Sequence, residues 1–288
     1  HFHPWNHAQG QSGHAWTWLG AALQATTLPI AIVSAPGYRY HPAVLAQAMA
    51  TAAQMFPGRL TVALGSGEAI NEGITGEAWP EKPERNARLR ECATIIRALL
   101  QGEKVTHRGR VTVVEAQLFS RPQEAVPIFA AAVTPETAAE VAQWADGLLT
   151  TGGSIDSLRK TIDAFRDNGG AGKPVHVQHA LSWAPTQAEA EQEAMDQWFS
   201  GAVGGDAAWQ LRTPEQFEAL RSVVGLDSLE KSLMISADLE AHRARIAELL
   251  ALGPDSLFLH CVARNQKRFI ETFGEQVLPE LGSWSSRD

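Results

Sequence analysis

Short, unbroken apolar runs alternate with helical segments along most of this chain. Leu28–Val33, Arg59–Leu64, Pro127–Ala132, Gly147–Thr151, Pro174–Leu181 and Ser256–His260 are each too short for a buried helix. Runs of this kind fit strands covered on both faces, as in a parallel sheet. Pro42–Met55 places Val44, Leu45, Ala48 and Ala52 at helical spacing, and Pro83–Leu100 gathers Leu89, Cys92, Ile95, Ile96 and Leu99 on one face with arginines opposite. Ser154–Asp167 (stopped by Gly169-Gly170), the acidic Thr186–Phe199, Leu239–Leu252 and Gln266–Leu281 complete the helical set. Repeated strand–helix units favour an α/β chain of the TIM (β/α)8-barrel type over a Rossmann sheet. No Gly-x-Gly-x-x-Gly follows the first strand, which argues against a dinucleotide fold. About six barrel strands are countable, not eight.

Two segments break the alternation. Val105–Leu118, with a turn at His107-Arg108-Gly109, reads as a β-hairpin insertion within 103–120. Residues 200–236 are irregular: Gly201, Gly204 and Gly205 open a loop carrying a helical stretch near Pro214–Val224, which reads as an insertion or lid. The expectation is a single barrel domain over 1–288. With 288 residues and 44% hydrophobic residues the chain has material for a full core, and a net charge of −8 disfavours non-specific nucleic-acid binding. No apolar run reaches the length of a membrane span. Two cysteines, Cys92 and Cys261, form neither a disulfide framework nor a zinc motif, and a cytoplasmic setting is the simplest reading. The opening His1-Phe2-His3-Pro4-Trp5-Asn6-His7 has no initiator Met and no signal-peptide pattern, so it reads as a processed or truncated terminus.

Chemistry concentrates at Gly65-Ser66-Gly67-Glu68-Ala69-Ile70-Asn71-Glu72, directly after the strand ending at Leu64. In a β/α enzyme, reacting groups sit where strands end. The glycines admit a flat ligand close to the backbone. Glu68 exchanges a proton there, and Asn71 bonds a heteroatom. An ordinary βα loop with a helix-capping residue is the plainer alternative. Thr134-Pro135 reads as an N-cap and first helical residue.

His1-Phe2-x-Pro4-Trp5, Arg39-Tyr40-His41-Pro42-Ala43-Val44, Gly65-Ser66-Gly67-Glu68-Ala69-x-Asn71-Glu72, Ala78-Trp79-Pro80 and Asn265-Gln266-Lys267-Arg268-Phe269 occur in that order. Together they resemble the luciferase-like monooxygenase superfamily, with the branch of deazaflavin-dependent glucose-6-phosphate dehydrogenases nearest. The resemblance implies a TIM barrel with a hairpin insertion that binds FMN or the deazaflavin F420 at its mouth. It also implies a cis non-proline bond near Ile32-Val33-Ser34 behind the cofactor ring. Family members carry more chain before the His-x-x-Pro-Trp element, so the barrel is expected to lack its first two strands.

By the same resemblance, Glu68, His1 and Trp5 take the catalytic positions: Glu68 manages a proton, His1 accepts or relays one, and Trp5 walls the pocket. Ile32, Val33, Ser34, Gly67 and Asn71 would contact the cofactor ring, and Val133, Thr134 and Thr137 its phosphate. Thr151, Lys231, Lys267 and Arg268 would contact substrate. Two departures stand out. Ala131-Ala132-Val133 replaces the usual glycines, and Ser154 stands near a position that is lysine in the sugar-phosphate enzymes. Glucose 6-phosphate is therefore not assigned. The pattern around Glu103–Val111 tilts the cofactor reading toward FMN, and the family implies a homodimer acting on a small molecule. His179 and His260, near strand ends, are further candidates for the barrel mouth. Two other functions stay open: metal binding through His1, His3 and His7, and a barrel descendant without catalysis.

Overall fold

The computed structural model describes residues 1–203 and 208–281. Gly204 and Gly205, part of the irregular loop expected from sequence, lie outside the described residues. After an N-terminal segment come α1 (Ala15–Ala25), β1 (Ile30–Ser34), α2 (Pro42–Met55), β2 (Leu60–Leu64), α3 (Ala69–Glu72) and α4 (Lys82–Gln101). A hairpin, β3 (Val105–Arg108) and β4 (Thr112–Ala116), precedes β5 (Ile128–Ala131), α5 (Pro135–Val141), β6 (Gly147–Thr151), α6 (Ile155–Phe165) and β7 (Val175–Ser182). The rest is α7 (Gln187–Trp198), α8 (Pro214–Glu218), α9 (Leu226–Leu229), β8 (Met234–Ile235), α10 (Leu239–Leu250), β9 (Ser256–Cys261) and α11 (Gln266–Thr272).

Seven strands form one sheet in the order β1-β2-β5-β6-β7-β8, with β9 also paired to β7, and every pairing is parallel. Parallel strands need helical crossovers that cover them, which is why the apolar runs are continuous. No described pairing joins β1 to β9, so the sheet is an open, barrel-like curl. The seventh strand is the two-residue β8, which pairs only Leu181 and Ser182; a strand that short has no readable period in sequence.

Strand residues alternate between two faces. Ile32, Val62, Leu64 and Ile128 pack with Leu45, Met49, Leu89, Cys92, Ile96 and Leu99 beneath α2 and α4. Leu148, Val175 and Val177 meet Val141, Leu158, Ile162, Phe165 and Leu249. The opposite, concave face carries Val33, Phe129, Ala131, Thr151, His176, Gln178, Phe258 and His260, with Thr151 level with Gln178 and Gln178 level with Phe258. A Cβ on Gly147 would lie 2.5 Å from the Phe129 ring, so glycine there makes room for Phe129 against His176. Phe165 is fully buried. Phe165→Ala is expected to cost about 3–5 kcal/mol, read as a shifted denaturant midpoint.

Several elements depart from the sequence expectations. α1 was not anticipated; Trp16, Leu19 and Leu23 at helical spacing were its signal, and Leu19 and Leu23 are buried. The hairpin turn falls at 109–111 rather than His107–Gly109, because Glu91 of α4 holds His107 at 2.8 Å and accepts the Val111 N–H at 2.9 Å. The stretch 214–224 is broken into α8 and a 3-10 turn, and α11 passes through a π turn at Phe273–Val277. Every peptide bond among the described residues is trans, so the cis bond expected near Ile32-Val33-Ser34 is absent.

Candidate active site

The loop at the C-terminal end of β2 and the N-terminal segment converge on Asn71. Its amide is 7% exposed, and its Oδ1 accepts the Phe2 backbone N–H at 2.7 Å. A backbone N–H only donates, so this bond sets the orientation of the amide. Nδ2 then donates to Glu68 Oε2 at 3.1 Å and faces His1 Nδ1 at 3.2 Å. His1 Nδ1 is therefore the acceptor nitrogen, and the neutral ring carries its proton on Nε2. His1 Nδ1 and Glu68 Oε2 are 3.9 Å apart, too far for a direct hydrogen bond. Asn71 is the bridge between them.

Glu68 occupies the residue before α3 in extended conformation, yet its side chain makes no cap bond to the helix. The plainer reading, a capping carboxylate, thus does not describe it. Burial raises the Glu68 pKa from 4.5 to about 7, with the neighbouring Glu72 charge adding and the Asn71 bond opposing. Gly67 has φ +83°, and a Cβ there would lie 3.0 Å from Glu72 Cγ and 3.2 Å from Trp79.

Trp5 sits with its ring centroid 4.8 Å from His1 and 5.2 Å from Phe217, which it meets edge-on. Phe217, Phe199 and Ile70 are fully buried around it. Gln197 O, at the end of α7, accepts from Asn6 and Gln9 at 3.5 and 2.8 Å, and His7 reaches Glu215 at 3.1 Å. Segment 1–9 is thereby moored to α7 and α8. Asn6, Gln9 and Phe217 were not singled out in sequence; their partners are so distant along the chain that no local pattern marks them.

The other expected residues divide. Val33 is 53% exposed on the concave face, whereas Ile32 and Ser34 point into the helical layer, where Ser34 Oγ accepts from Trp16 Nε1 at 3.0 Å. Thr134 Oγ1 accepts the Thr137 N–H at 3.3 Å and so caps α5, with Val133 exposed beside it. The Glu136 carboxylate takes its own N–H and the Thr134 hydroxyl, which lowers its pKa. Thr151 is on the concave face. Lys231 is exposed and its carbonyl lies against Gly153, Lys267 is 85% exposed and pairs with Glu271, and Arg268 is exposed. His260 faces the concave side, 3.4 Å from Gln178 and edge-on to Trp198. His179 does not: it is 3% exposed, on the helical side near His242 and Arg245, and burial holds its pKa down to about 4. His1, His3 and His7 take separate partners, and no group of three or more metal-ligating side chains converges among the described residues. Nor is any described helix long and apolar enough to cross a membrane.

The sequence model for luciferase-like monooxygenases matches residues 1–256. This chain belongs to that family. A relative from Microbacterium testaceum, an F420-dependent glucose-6-phosphate dehydrogenase, is 33% identical over 98% of this chain and 87% of its own length. One from Nakamurella multipartita with the same activity name is also 33% identical, over 98% and 86%. Among solved structures, an F420-dependent secondary alcohol dehydrogenase in complex with an F420–acetone adduct superposes with a TM-score of 0.88 at 30% identity, covering 98% of this chain and 88% of the other. The F420-dependent tetrahydromethanopterin reductase of Methanopyrus kandleri shares the fold, with a TM-score of 0.73 at 20% identity, over 94% and 88%.

Proposed function

We propose that this chain is a deazaflavin-dependent oxidoreductase that moves a hydride between F420 and a small, uncharged alcohol or carbonyl compound. The observation that carries this reading is a single cluster: a Glu68 carboxyl raised to about 7, joined through Asn71 to His1 and flanked by Trp5, at the open end of the strands. A carboxyl titrating near neutrality serves as proton donor and acceptor at the same pH. His1 offers an Nε2–H to a substrate oxygen while Asn71 holds its other nitrogen. Trp5, braced by Phe217, walls the pocket and excludes water, with Leu211 and Val224 packed behind it.

The residues fit the cofactor. Val33 presents its side chain to the concave face, Ile32 and Ser34 reach it through their backbone, and the crowding at Gly67 would exclude a larger residue beneath a flat ring. Val133, Thr134 and Thr137 would hold the phosphate, provided Glu136 swings out. Bound F420 supplies the carbon that takes or gives the hydride. F420 is chosen because it stands in the names of the relatives at 30% identity or more; FMN is the other arm of the test. The uncharged substrate is supported by the exposure of Lys231, Lys267 and Arg268, with Lys267 already paired to Glu271, and by Ser154, whose hydroxyl caps α6 by accepting the Ser157 N–H. The reading places the enzyme in a reducing cytoplasm, where Cys92 and Cys261 remain buried free thiols, and takes it to work as a homodimer.

Titration with F420 and FMN is expected to show saturable binding of F420, weakened at least tenfold in Trp5→Ala. F420 should then be reduced by propan-2-ol and not by glucose 6-phosphate. Binding of FMN alone, or turnover with glucose 6-phosphate alone, would overturn the assignment.

A further inference from the structure

Two motif residues have no role in the site as described: Arg39, in the loop after β1, and Glu72, the last residue of α3. They form a buried pair. The Glu72 side chain is 1% exposed. Its Oε2 accepts the Arg39 backbone N–H at 3.1 Å, and its Oε1 accepts from the Arg39 guanidinium at 3.4 Å. The guanidinium also lies over the Tyr40 ring at 4.6 Å. Arg39 itself is anchored in a tight loop, in which Gly37 N–H donates to Tyr40 O at 2.8 Å. Glu72 thus ties the loop after β1 to the loop after β2.

Glu72 also lies directly under the reacting loop. It follows Glu68 by four residues, and the Glu72 N–H donates to Glu68 O at 2.9 Å. Residues so spaced share one face of a helical turn, where like charges repel. Gly67, one residue before Glu68, rests on Glu72 Cγ so closely that a Cβ would be 3.0 Å away. A second carboxylate buried beside an acid–base group is costly unless it is paired, and Arg39 supplies the pairing. The groups that face Glu68 are then Glu72 and Asn71 of α3 and, from the N-terminal segment, the His1 ring; Arg39 acts on Glu68 through Glu72.

We propose that Glu72, clamped by Arg39, is a positioning residue for Glu68: the pair fastens two active-site loops together and sets both the place and the charge surroundings of the Glu68 carboxyl. The proposal rests on the reading of Glu68 as the proton-transfer group, but it can be tested without cofactor or substrate. Burial raises the pKa of Glu72 as well, with Arg39 opposing, and the charge of Glu72 raises the pKa of Glu68.

The test is carboxyl-carbon NMR of the full chain labelled with 13C-glutamate, with Glu68 assigned by its loss in Glu68→Gln. In the wild type the Glu68 signal is expected to titrate near pH 7. In Glu72→Gln, which keeps size and a hydrogen-bond acceptor, that midpoint should move to lower pH by about one unit. An unchanged or raised midpoint in a folded variant overturns the proposal. Coupling between two sites is reciprocal, so a second variant guards against misfolding: in Glu68→Gln the midpoint of Glu72 should fall by a similar amount, and an unmoved Glu72 signal overturns the proposal equally. Failure of the oxidoreductase reading would appear as no F420 turnover with both NMR shifts intact. Failure of the present proposal would appear as turnover without them.

Discussion

Replacing Glu68 by Gln is expected to lower kcat by about 10²–10⁴-fold, the usual contribution of a positioned acid–base group, while F420 affinity stays within a few-fold. Gln keeps an oxygen to accept the Asn71 N–H, so the cluster holds its shape and only the exchangeable proton is lost. The same substitution carries a stability signature. The folded-state pKa of Glu68 is raised from 4.5 to about 7, so the folded protein holds an extra proton between those values. Stability contributed by the protonated group is full below about 4.5 and is lost as pH rises through about 7. Glu68→Gln, neutral throughout, should therefore be more stable than wild type by about 1–3 kcal/mol at pH 8, with the difference closing below pH 5. Denaturant unfolding at both pH values checks this. Equal stability of the two proteins at pH 8 would mean that the carboxylate is solvated and that the Glu68 pKa is not raised.

Replacing Asn71 by Leu is expected to lower kcat about 10²-fold, because misplacing reacting groups by an ångström costs that much. Leu has the same number of side-chain heavy atoms as Asn, branched at the same carbon, but makes none of its bonds to Phe2, Glu68 and His1. The Phe2 N–H is left unpaired in a partly buried site, a cost of about 1–3 kcal/mol. The Asn71 bond lowers the Glu68 pKa, so its removal should also carry the acidic limb of the kcat/KM profile to higher pH. The pH profile separates this role from simple helix capping: a capping residue would alter stability and leave the midpoint in place.

Much of the site was legible as a list of residues, little of it as an arrangement. Glu68 and Asn71 were marked by a local pattern, two glycines at a strand end followed by a carboxylate and an amide, and the structure brings both together with His1 and Trp5. The assignment of Ile32, Val33 and Ser34 as a unit depended on a backbone conformation that the structure does not contain, and strand alternation leaves only Val33 facing the concave side. His179 and His260 looked equivalent in sequence because each lies near a strand end. Strand parity separates them: β7 and β9 are paired with His179 level with Leu259, on the helical side, and Ala180 level with His260.

The sequence by itself determined the class of fold and the strand end at which the candidate cluster lies. Short apolar runs joined by amphipathic helices can be buried only as a parallel sheet covered by helices, and reactive residues after a strand must then lie at its C-terminal end. The tertiary structure alone decided which of those residues meet. That Asn71 turns its oxygen to Phe2 and its nitrogen to Glu68 and His1, that Phe217 braces Trp5, and that Arg39 neutralises Glu72 are consequences of how distant segments pack. Such contacts depend on three-dimensional distance and on burial, and neither is encoded in any local run of residues.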